Sequence, residues 1–186
     1  MPRLGQGTWR MGEDPSQRQM EVDALRYGMK LGMNMIDSAE MYADGQAEDI
    51  SGEAIRTVNR KEVFLVSKVY PENANHAKIF QSCDQTLNHF GVSALDLYLL
   101  HWRENADLAE VAYCMEKLVD EGKINGWGVS NFDTSDMIDL WKVPDGNKCA
   151  VNQVLYNLGS RGIEYDLMPW QRERGIPFMA YCPIAQ

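Results

Sequence analysis

The chain has 186 residues, 45% hydrophobic and 24% charged, which is enough for one domain with a sizeable core and leaves no tract polar enough to read as disordered. A net charge of -9 with no basic stripe argues against a nucleic-acid or anionic-membrane partner. No apolar stretch is long enough to span a bilayer and no basic segment leads into an apolar run, so a soluble cytoplasmic protein is expected.

Seven short runs rich in β-branched and aromatic residues alternate with longer amphipathic stretches. The first candidate strand, 3–8, leads to Asp14-Pro15-Ser16-Gln17, which offers a helix N-cap, a proline at the first helical position and a Gln placed for a capping box. Val22, Leu25 and Met29 then step by three and four along one helical face, and Gly32 stops the helix before a strand at 34–38. A third strand, 63–69, is followed by the stripe Ile79, Cys83, Leu87 and Phe90, closed by Gly91. A fourth, 95–101, precedes Leu108, Val111, Met115 and Leu118. Strands at 126–130, 150–155 and 177–181 complete the series, with Gly175 ending the last helix.

The cysteines (Cys83, Cys114, Cys149 and Cys182) are scattered without a C-x-x-C pair, as isolated thiols in a reducing compartment would be. Neither they nor the three histidines have metal-ligand spacing, so no metal is expected. Methionines such as Met29, Met33 and Met115 fall at core-like positions and read as packing.

Strands alternating with helices imply a parallel sheet, either doubly wound or closed as a (β/α)8 barrel. No Gly-x-Gly-x-x-Gly turn follows any strand, which removes the dinucleotide fingerprint of the open sheet. Polar residues instead recur at successive strand ends: Asp37, Lys68, His101, Ser130, Gln153 in the sixth strand, and Tyr181. In a TIM barrel that rim is where active sites sit. The expected fold is therefore a (β/α)8 barrel occupying residues 1–186 as a single domain. It is C-terminally incomplete, since seven strands and six helices use up the chain and an eighth βα unit is expected to lie outside it.

Singly, these residues have ordinary explanations: an ion pair between strands, a core histidine, a surface tyrosine. Together on one rim, Asp37, Tyr42, Lys68 and His101 suit general-acid chemistry. A tyrosine is a weak acid, with a reference pKa of about 10. An ammonium beside it favours the phenolate, and a carboxylate paired with that ammonium keeps it charged and oriented. Such a phenol can protonate a carbonyl oxygen as negative charge builds there, while a histidine holds that oxygen.

Gly5-Gln6-Gly7-Thr8-Trp9, Ile36-Asp37-Ser38-Ala39-Glu40-Met41-Tyr42, Val66-Ser67-Lys68-Val69 and Asp96-Leu97-Tyr98-Leu99-Leu100-His101-Trp102 carry a resemblance to the aldo-keto reductases. It continues through Gly128-Val129-Ser130-Asn131-Phe132, Asn152-Gln153 and Tyr181-Cys182-Pro183-Ile184, in order along the whole chain, and is closest to the bacterial methylglyoxal and 2,5-diketogluconate reductases. It implies NADPH-dependent reduction of aldehydes or ketones, small dicarbonyls such as methylglyoxal among them, with NADH left open as the cofactor. Tyr42 is implied as proton donor, Lys68 and Asp37 as the pair that tunes it, and His101 as the residue that orients the carbonyl. Ser130, Asn131 and Gln153 are implied to hold the nicotinamide carboxamide, and Tyr181 to stack on its ring. Thr8, Pro183, Ile184 and Gln186 are implied to contact the ribose and pyrophosphate, with Asp37 also among the cofactor contacts, and Trp9 and Trp102 to wall the substrate pocket. The competing reading is a non-catalytic nicotinamide-binding regulatory protein on the same scaffold. Oligomeric state is not legible.

Overall fold

The computed structural model describes residues 1–185. Seven strands alternate with six α-helices: β1 (Gly5–Gly7), α1 (Arg18–Lys30), β2 (Met35–Asp37), α2 (Gln46–Ile55), β3 (Phe64–Val69), α3 (Ile79–Phe90), β4 (Leu97–Leu100), α4 (Leu108–Asp120), β5 (Trp127–Ser130), α5 (Thr134–Leu140), β6 (Asn152–Leu155), α6 (Leu167–Glu173) and β7 (Phe178–Tyr181). All strand pairings are parallel, and each strand lies beside its sequence neighbours in the order β1 to β7. A helix crossing back over the outside after each of the first six strands gives the βα repeat, and the sheet curls into a nearly closed barrel. The expected (β/α)8-type architecture is thus what forms. Every candidate strand is present, trimmed at one or both ends.

Alternation along each strand divides the core into two layers. Outward residues such as Ile36, Leu65, Tyr98, Leu100, Trp127 and Val129 meet Val22, Leu25, Ile50, Ile79, Val111 and Met115 from the helices. Inward residues Met35, Val66, Leu97, Leu99, Val151 and Met179 fill the floor of the barrel. Two residues further along, the same inward parity delivers Asp37 after Met35, Lys68 after Val66, Gln153 after Val151 and Tyr181 after Met179. The barrel interior is therefore apolar below and chemically equipped at the C-terminal rim.

The helix stops at Gly32, Gly91 and Gly175 hold, each with positive φ. Two details differ from expectation. Asp14 does cap, accepting from the Ser16 backbone N–H, but the element it caps is a 3-10 turn over Pro15–Gln17 that precedes α1. Proline fits that tight turn, and Gln17 falls just before the α-helix rather than at the third position inside it. Met33 is half-buried rather than core, because it lies in the turn after Gly32 and not on the helical stripe. Among the described residues no helix is long and apolar enough to cross a membrane, and no cluster of three potential metal ligands occurs.

Candidate active site

The rim is built around one buried ammonium. Lys68, at inward parity in β3, is 0% exposed. Its Nζ donates to Asp37 Oδ1 at 2.9 Å and to the Ser38 carbonyl at 2.7 Å, both at the end of β2. A buried lysine needs acceptors for its N–H groups, and the carboxylate and carbonyl supply them. Asp37 Oδ1 also accepts from Gln153 Nε2 at 3.1 Å, which joins β2 to β6 across the mouth.

Tyr42 follows β2 in a 3-10 turn, Tyr42–Gly45, in which Ala43, Asp44 and Gly45 all have left-handed φ values of 47°, 51° and 86°. That reversal folds the loop back over the barrel and brings the phenol ring to 5.1 Å from Lys68 Nζ. The His101 ring meets it edge-on, with centroids 5.8 Å apart. Burial pushes the Tyr42 hydroxyl above its ordinary pKa of 10.0, Lys68 pulls it back down, and Asp37 adds to the rise. The phenol therefore carries its proton at neutral pH, with a cation beside the charge it acquires on releasing it. His101 is 4% exposed and its pKa is pulled down to about 3, first by burial and then by Lys68. The ring is therefore neutral throughout the physiological range, able to offer a hydrogen bond but not a proton.

Beside this group, the ends of β5 to β7 form a second set. Ser130 Oγ donates to the Gln153 carbonyl at 3.0 Å, and Asn131 Nδ2 reaches the His101 carbonyl at 3.1 Å and Ser130 Oγ at 3.2 Å. The half-buried Tyr181 donates its hydroxyl to Asn131 Oδ1 at 2.8 Å. Hydroxyl and amide groups next to a flat aromatic face are a donor set that suits a nicotinamide, whose carboxamide needs both donors and acceptors and whose ring needs a stacking surface.

The remaining positions scatter more widely. Trp102 is half-buried and stacks on His101 at 3.7 Å, whereas Trp9 is 54% exposed with Arg10 over its ring. Thr8 is fully buried, and its hydroxyl is taken up by Ser38 Oγ at 2.9 Å and the Asp37 carbonyl at 3.2 Å. Pro183 and Ile184 are exposed beyond β7, and Gln186 lies outside the described residues.

Sequence reasoning passed over several participants. Ser38 anchors both Lys68 and Thr8. Glu40 Oε1 holds the loop after β3 by accepting from the Tyr70 backbone N–H and Asn73 Nδ2. Tyr70 meets Trp102 edge-on at 6.1 Å. A polar residue directly following the inward Asp37 was the available signal for Ser38; Glu40 and Tyr70 carry none that separates them from ordinary loop residues.

A model of the aldo/keto reductase family matches residues 3–186. The methylglyoxal reductase YeaE of Escherichia coli is 57% identical over 186 residues, covering all of this chain and 65% of its own length. The glyoxal reductase of Bacillus subtilis is 30% identical, with 64% of its length covered. A crystal structure of an aldo/keto reductase from Klebsiella pneumoniae in complex with NADP and acetate superposes with a TM-score of 0.96 at 55% identity, over 99% of this chain and 65% of that one. The chain thus spans just under two thirds of the length of these relatives.

Proposed function

The chain belongs to the aldo/keto reductase family, and from that premise we propose that it reduces aldehydes or ketones to alcohols with NADPH, taking small dicarbonyls such as methylglyoxal and using Tyr42 as proton donor. We further assign residues 1–186 to a single domain of that barrel. The observation that carries the activity is the Tyr42 phenol, still protonated by burial, within 5.1 Å of a fully buried Lys68 ammonium.

Asp37 and the Ser38 carbonyl fix the ammonium, so it faces the phenol without reorganising as charge develops. The neutral His101 ring donates a hydrogen bond to the carbonyl oxygen and sets its approach to the Tyr42 hydroxyl. Trp102, stacked on His101, gives the pocket an apolar wall that excludes water from that proton transfer. Ser130, Asn131 and Gln153 would hold the carboxamide and Tyr181 the ring of a nicotinamide, whose reduced form supplies the hydride. Pro183, Ile184 and Gln186 are assigned to the ribose and pyrophosphate, and Trp9 to the substrate side of the mouth. Thr8 is assigned with them, provided its hydroxyl turns from Ser38.

NADP in the named Klebsiella pneumoniae structure, and NADPH in a second aldo-keto reductase structure from the same organism, support the phosphorylated cofactor. The free thiols Cys83, Cys114 and Cys149, all buried, support a reducing compartment such as the cytoplasm. No observation favours the regulatory reading. The test is loss of NADPH absorbance with methylglyoxal, run in parallel with NADH: carbonyl-dependent oxidation is expected, and its absence for both cofactors would refute the assignment.

A further inference from the structure

Behind the rim, between the sheet and its helices, lies a polar cluster for which the reaction has no direct use. Glu48, in the first turn of α2, is 0% exposed. Its Oε1 accepts from Ser67 Oγ of β3 at 2.5 Å and from Thr86 Oγ1 of α3 at 3.0 Å. Its Oε2 is buried with no hydrogen-bond partner among the described residues, and Tyr98, the residue of β4 in register with Ser67, is buried in the same cluster. A bare oxygen is costly on a buried carboxylate and much less so on a protonated acid. Burial accordingly raises the Glu48 pKa to about 7, against the opposing pull of Ser67, Thr86 and His89, while Glu40 adds to the rise.

The placement of this carboxyl matters more than its charge. Glu48 follows Tyr42 by six residues, at the start of the helix that carries the Tyr42 loop forward. Ser67 immediately precedes Lys68, and neighbouring strand residues point to opposite faces. Pinning Ser67 outward therefore fixes the backbone from which Lys68 projects inward. The helix itself is seated tightly, since a Cβ at Gly52, one turn beyond Glu48, would lie 2.5 Å from the His89 carbonyl of α3.

We propose that Glu48 is a positioning residue that sets the Tyr42–Lys68 separation, by tying Ser67 and Thr86 to the first turn of α2 through one shared acceptor oxygen. The inference rests on Tyr42 being the acid of the proposed reaction and Lys68 its neighbouring cation. It requires an acceptor at Oε1 rather than a negative charge. Glu48→Gln keeps that acceptor and should leave the Tyr42–Lys68 pair as it is in the wild type. Glu48→Leu removes it, and Ser67→Ala removes the link to β3 alone.

The experiment follows Tyr42 ionisation by NMR in the full chain labelled with 13C-tyrosine, with Tyr42→Phe identifying the signal. Glu48→Gln should titrate with the wild type. Glu48→Leu and Ser67→Ala should raise the Tyr42 pKa by about one unit as Lys68 loses its hold on the phenol. In turnover they should lower kcat with the carbonyl KM unchanged. Folded Glu48→Leu and Ser67→Ala proteins whose Tyr42 titrates normally would overturn the proposal, as would Glu48→Gln shifting Tyr42 as far as Glu48→Leu. If Glu48→Leu does not fold, Ser67→Ala decides, because it leaves the helix and its carboxyl in place. A wild-type chain that reduces no carbonyl would refute the proposed function, yet the NMR titration would still support or overturn the positioning.

Discussion

Gln153 Nε2 donates to Asp37 Oδ1 at 3.1 Å, and the same carboxylate oxygen takes Lys68 Nζ at 2.9 Å. Residues 116 apart in sequence thus share one atom at the mouth of the barrel. Because the amide approaches from β6 and the ammonium from β3, Asp37 is held from both sides. Replacing Gln153 with Leu removes one hydrogen bond to a charged acceptor, a loss on the order of 1.5–3 kcal/mol for such bonds. Urea unfolding should show a lower midpoint with the slope unchanged. A cofactor titration of the same variant should show weaker binding, since Gln153 is also assigned to the carboxamide.

Tyr42→Phe keeps the ring against His101 and Lys68 and deletes only the hydroxyl. General-acid contributions run to about 10²–10⁴-fold, so kcat for methylglyoxal reduction should fall within that range. NADPH binding, followed by quenching of protein fluorescence, should be little altered. Near-wild-type turnover would dismiss the phenol as the proton source.

Two buried groups give stability opposite pH dependences. His101 has a folded pKa of about 3, below its reference of 6.5. The unfolded chain therefore binds more protons between these values, so its contribution is complete above 6.5 and is lost as pH falls toward 3. Glu48 has a folded pKa of about 7, above its reference of 4.5. Here the folded state binds more protons, and the contribution present below 4.5 is lost as pH rises through 7. Denaturant titrations across pH 3–7 should show Glu48→Gln gaining on the wild type as pH rises from 4.5 to 7, and His101→Asn gaining as pH falls from 6.5 toward 3. Parallel curves for wild type and both variants would show that neither group is perturbed.

The barrel was legible because helical stripes and strand ends obey simple periodicities. Val22, Leu25 and Met29 are all buried as their spacing requires, and Asp37, Lys68, His101, Gln153 and Tyr181 reach one rim because inward parity repeats from strand to strand. Glu48 was not legible for the converse reason. A glutamate in the first turn of a helix ordinarily stabilises the N-terminus from solvent, and only the arrival of Thr86 from α3 and Ser67 from β3 buries this one. The Tyr42 turn was equally hidden, since Ala43 carries no preference for the left-handed conformation it adopts.

Ala43 and Asp44 have φ values of 47° and 51°, where an alanine costs roughly 1–2 kcal/mol and an aspartate somewhat less. Glycine at position 43 removes the steric cost but adds freedom to the unfolded chain. The net gain for Ala43→Gly should be about 0.5–1 kcal/mol, seen as a higher denaturation midpoint. The same freedom loosens the segment that presents the phenol, so kcat should fall while stability rises. If Ala43→Gly is destabilised instead, relief of the left-handed backbone at position 43 is outweighed by the freedom added to the unfolded chain.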